Sequence, residues 1–107
     1  MASELREALV KGELIRVPVL VLYEWLRGPR KPEELAAQEG LFPSNAAVPF
    51  GAQEAVISAE LYRTLPHAGG REFDFAIAAC AIVRDAQLWT LNPADFRDIP
   101  GLRLYAP

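Results

Sequence analysis

Side chains that bind soft metals or act as nucleophiles are scarce in this sequence, which has one cysteine, Cys80, and one histidine, His67, in 107 residues. A lone cysteine cannot close an internal disulfide, and its place in an apolar run suits a reducing, cytoplasmic setting. The same scarcity excludes a zinc site built from Cys and His and argues against a histidine-based catalytic triad. Basic charge is short as well, with 11 Lys and Arg against 14 Asp and Glu and a net charge of -3. Without a global basic field, a protein is not drawn nonspecifically onto nucleic acid or acidic membrane, so any nucleic-acid contact has to be local. No segment reaches the ~18 uninterrupted apolar residues of a membrane span, and MASELREALVKGEL carries acids where a signal peptide has a basic end. The expectation is a soluble protein with no membrane or targeting segment, in which carboxylates carry any chemistry.

What is present is globular: 51% of the residues are apolar, 23% charged and 9% aromatic. Residues 1–107 are expected to form a single domain, burying roughly 60–70% of the surface of the unfolded chain. The spacing predicts a helix over 3–11, with Ser3 as N-cap and Gly12 as stop. Leu14 to Val17 reads as a short strand. Pro18 then opens a helix as its first residue, which carries Leu20, Val21, Trp25 and Leu26 and ends at Gly28-Pro29. Pro32, Glu33 and Glu34 start another helix, ending near Gly40. Ala46 to Phe50 reads as a buried strand with Val48 and Phe50 in the core. From Ala52 to Leu65 a helix is expected to bury Ala55, Val56, Ala59, Tyr62 and Leu65 and to turn Gln53, Glu54, Glu60 and Arg63 toward water.

Pro66 to Gly70 is a turn containing His67. Glu72 to Asp85 follows as a central helix, apolar on every side except at Asp74 and placing Cys80 in the core. Leu88 to Leu91 is a strand, NPADF a turn and Arg103 to Tyr105 a last strand. Strands alternating with helices at these intervals imply βαβ units and a parallel sheet.

A few polar residues do not fit ordinary solvated faces. Asp74 begins a small-residue stripe continued by Ala78, Ala81 and Asp85, where a carboxylate close to other backbone needs a cation or donors to offset its desolvation. The alternative is a first-turn acid facing solvent and favoured by the helix dipole. Glu24 stands among Leu22, Tyr23, Trp25 and Leu26; its alternative is a surface pair with Arg27 or Arg16 worth ~0.2–0.5 kcal/mol. Asn92 and Asp95 could equally form a capped turn around Pro93. Taken together, these residues gather beyond the strand ends, where parallel α/β sheets bind ligands. Carboxylates and an amide are hard oxygen donors suited to Mg²⁺ or Mn²⁺, and metal-assisted phosphodiester hydrolysis is the chemistry such a set supports.

Three segments resemble the PIN-domain nucleases, especially the VapC toxins of prokaryotic toxin–antitoxin modules. RVPVLVLYEWLRGP resembles the stretch with the family's second acid, at Glu24, and REFDFAIAACAI its helix with the third acid, at Asp74. LWTLNPADFRDIPGLRLY resembles the C-terminal signature, with Asn92 at the fourth site position and Asp95 close by. The resemblance implies a three-layer α/β fold, a central parallel sheet flanked by helices. It also implies an Mg²⁺- or Mn²⁺-dependent endoribonuclease acting on RNA. By the same resemblance Glu24, Asp74 and Asp95 are metal ligands and Asn92 completes the catalytic set.

The family begins with a strand ending in an acid, typically in a Leu-Asp-Thr-type motif, and this sequence has none. Two explanations stay open, a longer natural product or a degenerate relative that has lost the strand. The resemblance further implies a VapB-like antitoxin covering the site, with Trp25 and Leu26 as candidate contacts, and a homodimer. Arg27, Arg30 and Lys31 form a local basic group that either meets phosphates or an acidic partner, or is a solvated helix end. The rival expectation is a protein-interaction domain too poor in acids to hold a metal and cleave RNA.

Overall fold

The computed structural model describes residues 15–106. The expected helix over 3–11, its stop at Gly12 and the first residue of the expected strand, Leu14, lie outside them. The helices are α1 (Val19–Leu26), α2 (Pro32–Leu41), α3 (Ala52–Thr64) and α4 (Glu72–Val83), and β1 (Gln87–Leu88) and β2 (Arg103–Leu104) form a parallel pair. Three-residue 3-10 turns, Ser44–Ala46 and Pro93–Asp95, precede α3 and β2.

The chain is α/β with parallel pairing, as expected, but the sheet is small. The strands read at Leu14–Val17 and Ala46–Phe50 contract to one parallel bridge, Pro18 with Val48. A parallel bridge is bonded through the residues either side of Pro18, so its missing N–H costs nothing: Val48 N–H donates to the Val17 carbonyl (2.8 Å) and Val19 N–H to the Val48 carbonyl (2.7 Å). Pro18 therefore precedes the helix rather than opening it; its ψ of 143° is extended, and its carbonyl accepts the Leu22 N–H at 3.0 Å. Val48 is buried as expected, whereas Phe50 is 36% exposed because pairing ends before it. β1 and β2 are likewise shorter than the expected Leu88–Leu91 and Arg103–Tyr105. Their register pairs Gln87 with Arg103 and Leu88 with Leu104, and Gly101, at φ 81°, turns the chain into β2.

The core is built on α4, which packs against α1, α3 and β1. Phe75, Ala76, Ala78, Ala79, Cys80 and Ala81 are all buried, because a helix apolar all round belongs inside and small side chains let neighbouring backbones approach. Leu61, Phe75, Ala78, Phe96 and Ile99 form the central cluster. Cys80 lies in the core and His67, at φ 55°, in an exposed turn, both as expected.

The face of α3 is the clearest correction. Its period is right and its phase is wrong: Ile57, Leu61 and Leu65 pack inward, while Val56 is 66% and Tyr62 46% exposed and Ala55 and Ala59 face water. One residue of phase rotates a helical face by about 100°. Glu54, expected in solvent, is buried. Its Oε1 accepts the Gly51 N–H at 3.2 Å and its Oε2 an Arg84 Nη1–H at 2.9 Å. Arg84 also donates to the carbonyls of Cys80 (3.0 Å) and Pro49 (3.3 Å). A buried charge with this many partners is tolerated inside.

Candidate active site

Asp74 is the third residue of α4, and it is half-buried where the start of that helix meets neighbouring elements. It lies in a first turn and yet is partly desolvated. Burial pushes its carboxyl up from its ordinary value; the charge of Asp95 adds to this, Arg71 opposes it, and Glu24 adds a smaller share. The fold thus brings Glu24 from α1 and Asp95 from the turn before β2 near enough for their charges to act on Asp74 of α4.

Glu24 itself is exposed. Its carboxylate lies 4.0 Å from Arg27 Nη2, a surface pair worth roughly 0–1 kcal/mol, which leaves it available to another cation. Asp95 and Asn92 are also exposed. Asn92 stands where an N-cap would, and its side chain makes no capping bond; its backbone instead accepts the Asp95 N–H at 3.0 Å, and its own N–H donates to Thr90 Oγ1 at 3.1 Å.

The donors suit a hard divalent ion in type. A desolvated carboxylate with acidic neighbours is the group a cation relieves most. Among the described residues, no three His, Cys, Asp or Glu side chains are gathered tightly enough to enclose a metal ion by themselves. Mg²⁺ keeps several of its waters and takes one or two carboxylates directly, so acids set more widely than a closed cage still fit it.

Arg71 was not singled out by sequence. Its Nη1 and Nη2 bond both Asp98 oxygens, at 2.9 and 2.7 Å, and Nη2 also donates to the Asp95 carbonyl at 2.9 Å. The hydrogen bonds that it donates to Asp98 chiefly push the Arg71 guanidinium up, with the charges of Asp98, Asp74 and Asp95 contributing, and Arg71 holds the Asp98 carboxyl below its ordinary value. A signal was present. A cation immediately before a helix's first turn opposes the macrodipole, and so asks for a separate reason to be there.

The basic group after Glu24 divides by role. The Arg30 guanidinium lies over the Trp25 ring, 4.0 Å from its centroid, and its Nε donates to the Trp25 carbonyl at 2.9 Å. Arg27 approaches the Tyr23 ring at 5.7 Å, and the Lys31 N–H donates to Glu34 Oε1 at 2.8 Å, capping α2. Tyr23 and Leu26 are exposed beside them.

A profile of the PIN domain matches residues 1–102. The chain is 38% identical over 101 residues to a protein named Ribonuclease VapC19 from Mycobacterium tuberculosis (strain CDC 1551 / Oshkosh), a match covering 92% of this chain and 80% of that relative. The protein of the same name from strain ATCC 25618 / H37Rv matches with the same identity and coverage. No solved structure matches significantly.

Proposed function

The chain belongs to the PIN-domain family, and from that membership we propose that it is a metal-dependent endoribonuclease toxin of the VapC type. The observation that carries the proposal is the placement of Asp74, half-buried in the first turn of α4, with Asp95 and Glu24 near enough for their charges to act on it. Acids contributed by separate elements do not converge on a half-buried acid without cost, and a bound cation offsets that cost.

Glu24, Asp74 and Asp95 are the residues that would hold Mg²⁺ or Mn²⁺. Such an ion supplies an acidified water and charge stabilisation at the scissile phosphate. Asn92, exposed at the start of the Pro93–Asp95 turn, offers an amide that can donate to a phosphate oxygen or accept from water. Arg30, set on the Trp25 ring, presents a fixed guanidinium plane to the RNA backbone, and Arg27 and Lys31 add mobile charge. The same patch, with Trp25 and Leu26, is where a VapB-like antitoxin would dock. A homodimer working in the cytoplasm completes the reading.

The rival is an interaction domain that does not cleave. Cleavage of RNA in Mn²⁺ by the wild-type chain and by Asp74→Asn decides between them. The nuclease reading expects cleavage lost in the variant and restored by no metal concentration. Equal cleavage by both proteins marks a contaminating nuclease and removes Asp74 from the site, whereas no cleavage by either, alongside retained antitoxin binding, establishes the rival.

A further inference from the structure

We propose that Arg71 is a positioning residue, whose guanidinium fork fixes the turn from Asn92 to Asp98 against the start of α4 and so sets where Asp95 stands relative to Asp74. The functional meaning of this rests on the nuclease reading above; the geometry does not.

Arg71 is rooted in the start of α4 at both ends of its backbone. Its N–H donates to the Ala68 carbonyl at 2.9 Å, and its own carbonyl accepts the first helical bond, from Phe75 N–H, at 3.0 Å. Its guanidinium lies 4.8 Å from the centre of the Phe75 ring, and that ring is 1% exposed, so the charge is backed by the rigid core. From this base the fork spans 27 positions of sequence to grip both Asp98 oxygens and 24 to reach the Asp95 carbonyl. The two gripped residues bracket Phe96, itself buried in the central cluster, whereas the turn's own bonds are few: Asp95 to Asn92 at 3.0 Å, Phe96 to Pro93 at 3.1 Å and Ile99 to Phe96 at 3.2 Å. A short 3-10 turn with exposed ends is weakly self-supporting. Buried Phe96 and the Arg71 fork are what hold it in place.

The contacts also say what Arg71 does not do. With both Nη atoms engaged by Asp98 and Asp95, the guanidinium is committed to the protein, so it acts on Asp95 by placing it and on Asp74 by its charge. A lysine keeps the charge and loses the planar two-point grip, so Arg71→Lys separates the two roles.

The test compares wild type, Arg71→Lys, Asp98→Asn, Asp95→Asn and the double variant Arg71→Lys/Asp95→Asn in amide hydrogen exchange without metal and in calorimetric titration with Mn²⁺. Arg71→Lys and Asp98→Asn are expected to speed exchange at Asp95, Phe96 and Ile99 about tenfold while leaving the centre of α4 protected. Arg71→Lys is expected to weaken Mn²⁺ binding about tenfold, as loss of a support behind a ligand does, and to cost nothing further when added to Asp95→Asn. Unchanged exchange in the turn overturns the proposal. So does an equal loss of Mn²⁺ affinity with and without Asp95, which shows that Arg71 does not act through that residue. A wild-type chain that binds no Mn²⁺ removes the nuclease reading, while the metal-free exchange comparison still decides whether Arg71 places the turn.

Discussion

Arg84 Nη1 donates to Glu54 Oε2 at 2.9 Å, joining the end of α4 to the first turn of α3 around the one buried acid among the described residues. The Glu54 carboxyl is held below its ordinary value first by its own backbone N–H, then, against the cost of burial, by Arg84 and the Gly51 N–H. A depressed carboxyl contributes stability that is complete above its unfolded value and is lost as pH falls through its folded one. Glu54→Gln is therefore expected to unfold at lower urea than wild type at neutral pH, with the gap closing in acid below the ordinary carboxylate range. An identical midpoint at neutral pH would show that the pair contributes nothing.

Asp74 has the opposite sign. Burial, with Asp95 and Glu24, raises its carboxyl, so its ionised form destabilises the metal-free fold, fully so above the folded value and not at all below the unfolded one. Asp74→Asn is expected to melt higher than wild type at neutral pH without metal, the advantage vanishing in acid. Mn²⁺ is expected to raise the melting temperature of wild type only. Thermal scans with and without Mn²⁺ check both; a variant less stable than wild type at neutral pH contradicts the assignment.

Val56 reports on the phase of α3. Because it is 66% exposed, Val56→Ser is expected to change unfolding free energy by no more than about 0.5 kcal/mol, whereas Leu61→Ala, in the buried cluster, costs ~2–5 kcal/mol. Urea titration of the two variants checks the pair. A large loss at Val56 would return the helix to the face that its apolar period suggests.

Arg30, held on Trp25, is proposed as a phosphate contact. Arg30→Ala is expected to weaken RNA binding and to lower the slope of log affinity against log salt by about one, which fluorescence anisotropy measures across a salt series. An unchanged slope assigns Arg30 to holding the end of α1 alone.

Element types and approximate limits were legible because α1 to α4 carry proline, acid and glycine punctuation that acts locally. The buried character of α4 was also legible, since its composition leaves no polar face to expose. The acids of the candidate site stood out for the same reason, as polar residues in apolar company. Strand lengths were not legible: two-residue pairing at β1–β2 and a single bridge at Pro18–Val48 depend on where helices and turns draw the chain away.

The sequence by itself therefore determined the α/β class and the central helix, which follow from local composition and spacing, and carried the family resemblance in three motif segments. Only the tertiary structure decided which face of α3 is buried, that Glu54 is inside, and that Arg71 grips Asp98 and the Asp95 carbonyl. The first depends on packing against α4, and the other two on partners 24 or more positions away, Arg84 for Glu54 and Asp98 and Asp95 for Arg71. Periodicity defines a helical face only up to its phase, and a charge is admitted to the interior only when the fold brings its counter-charge there.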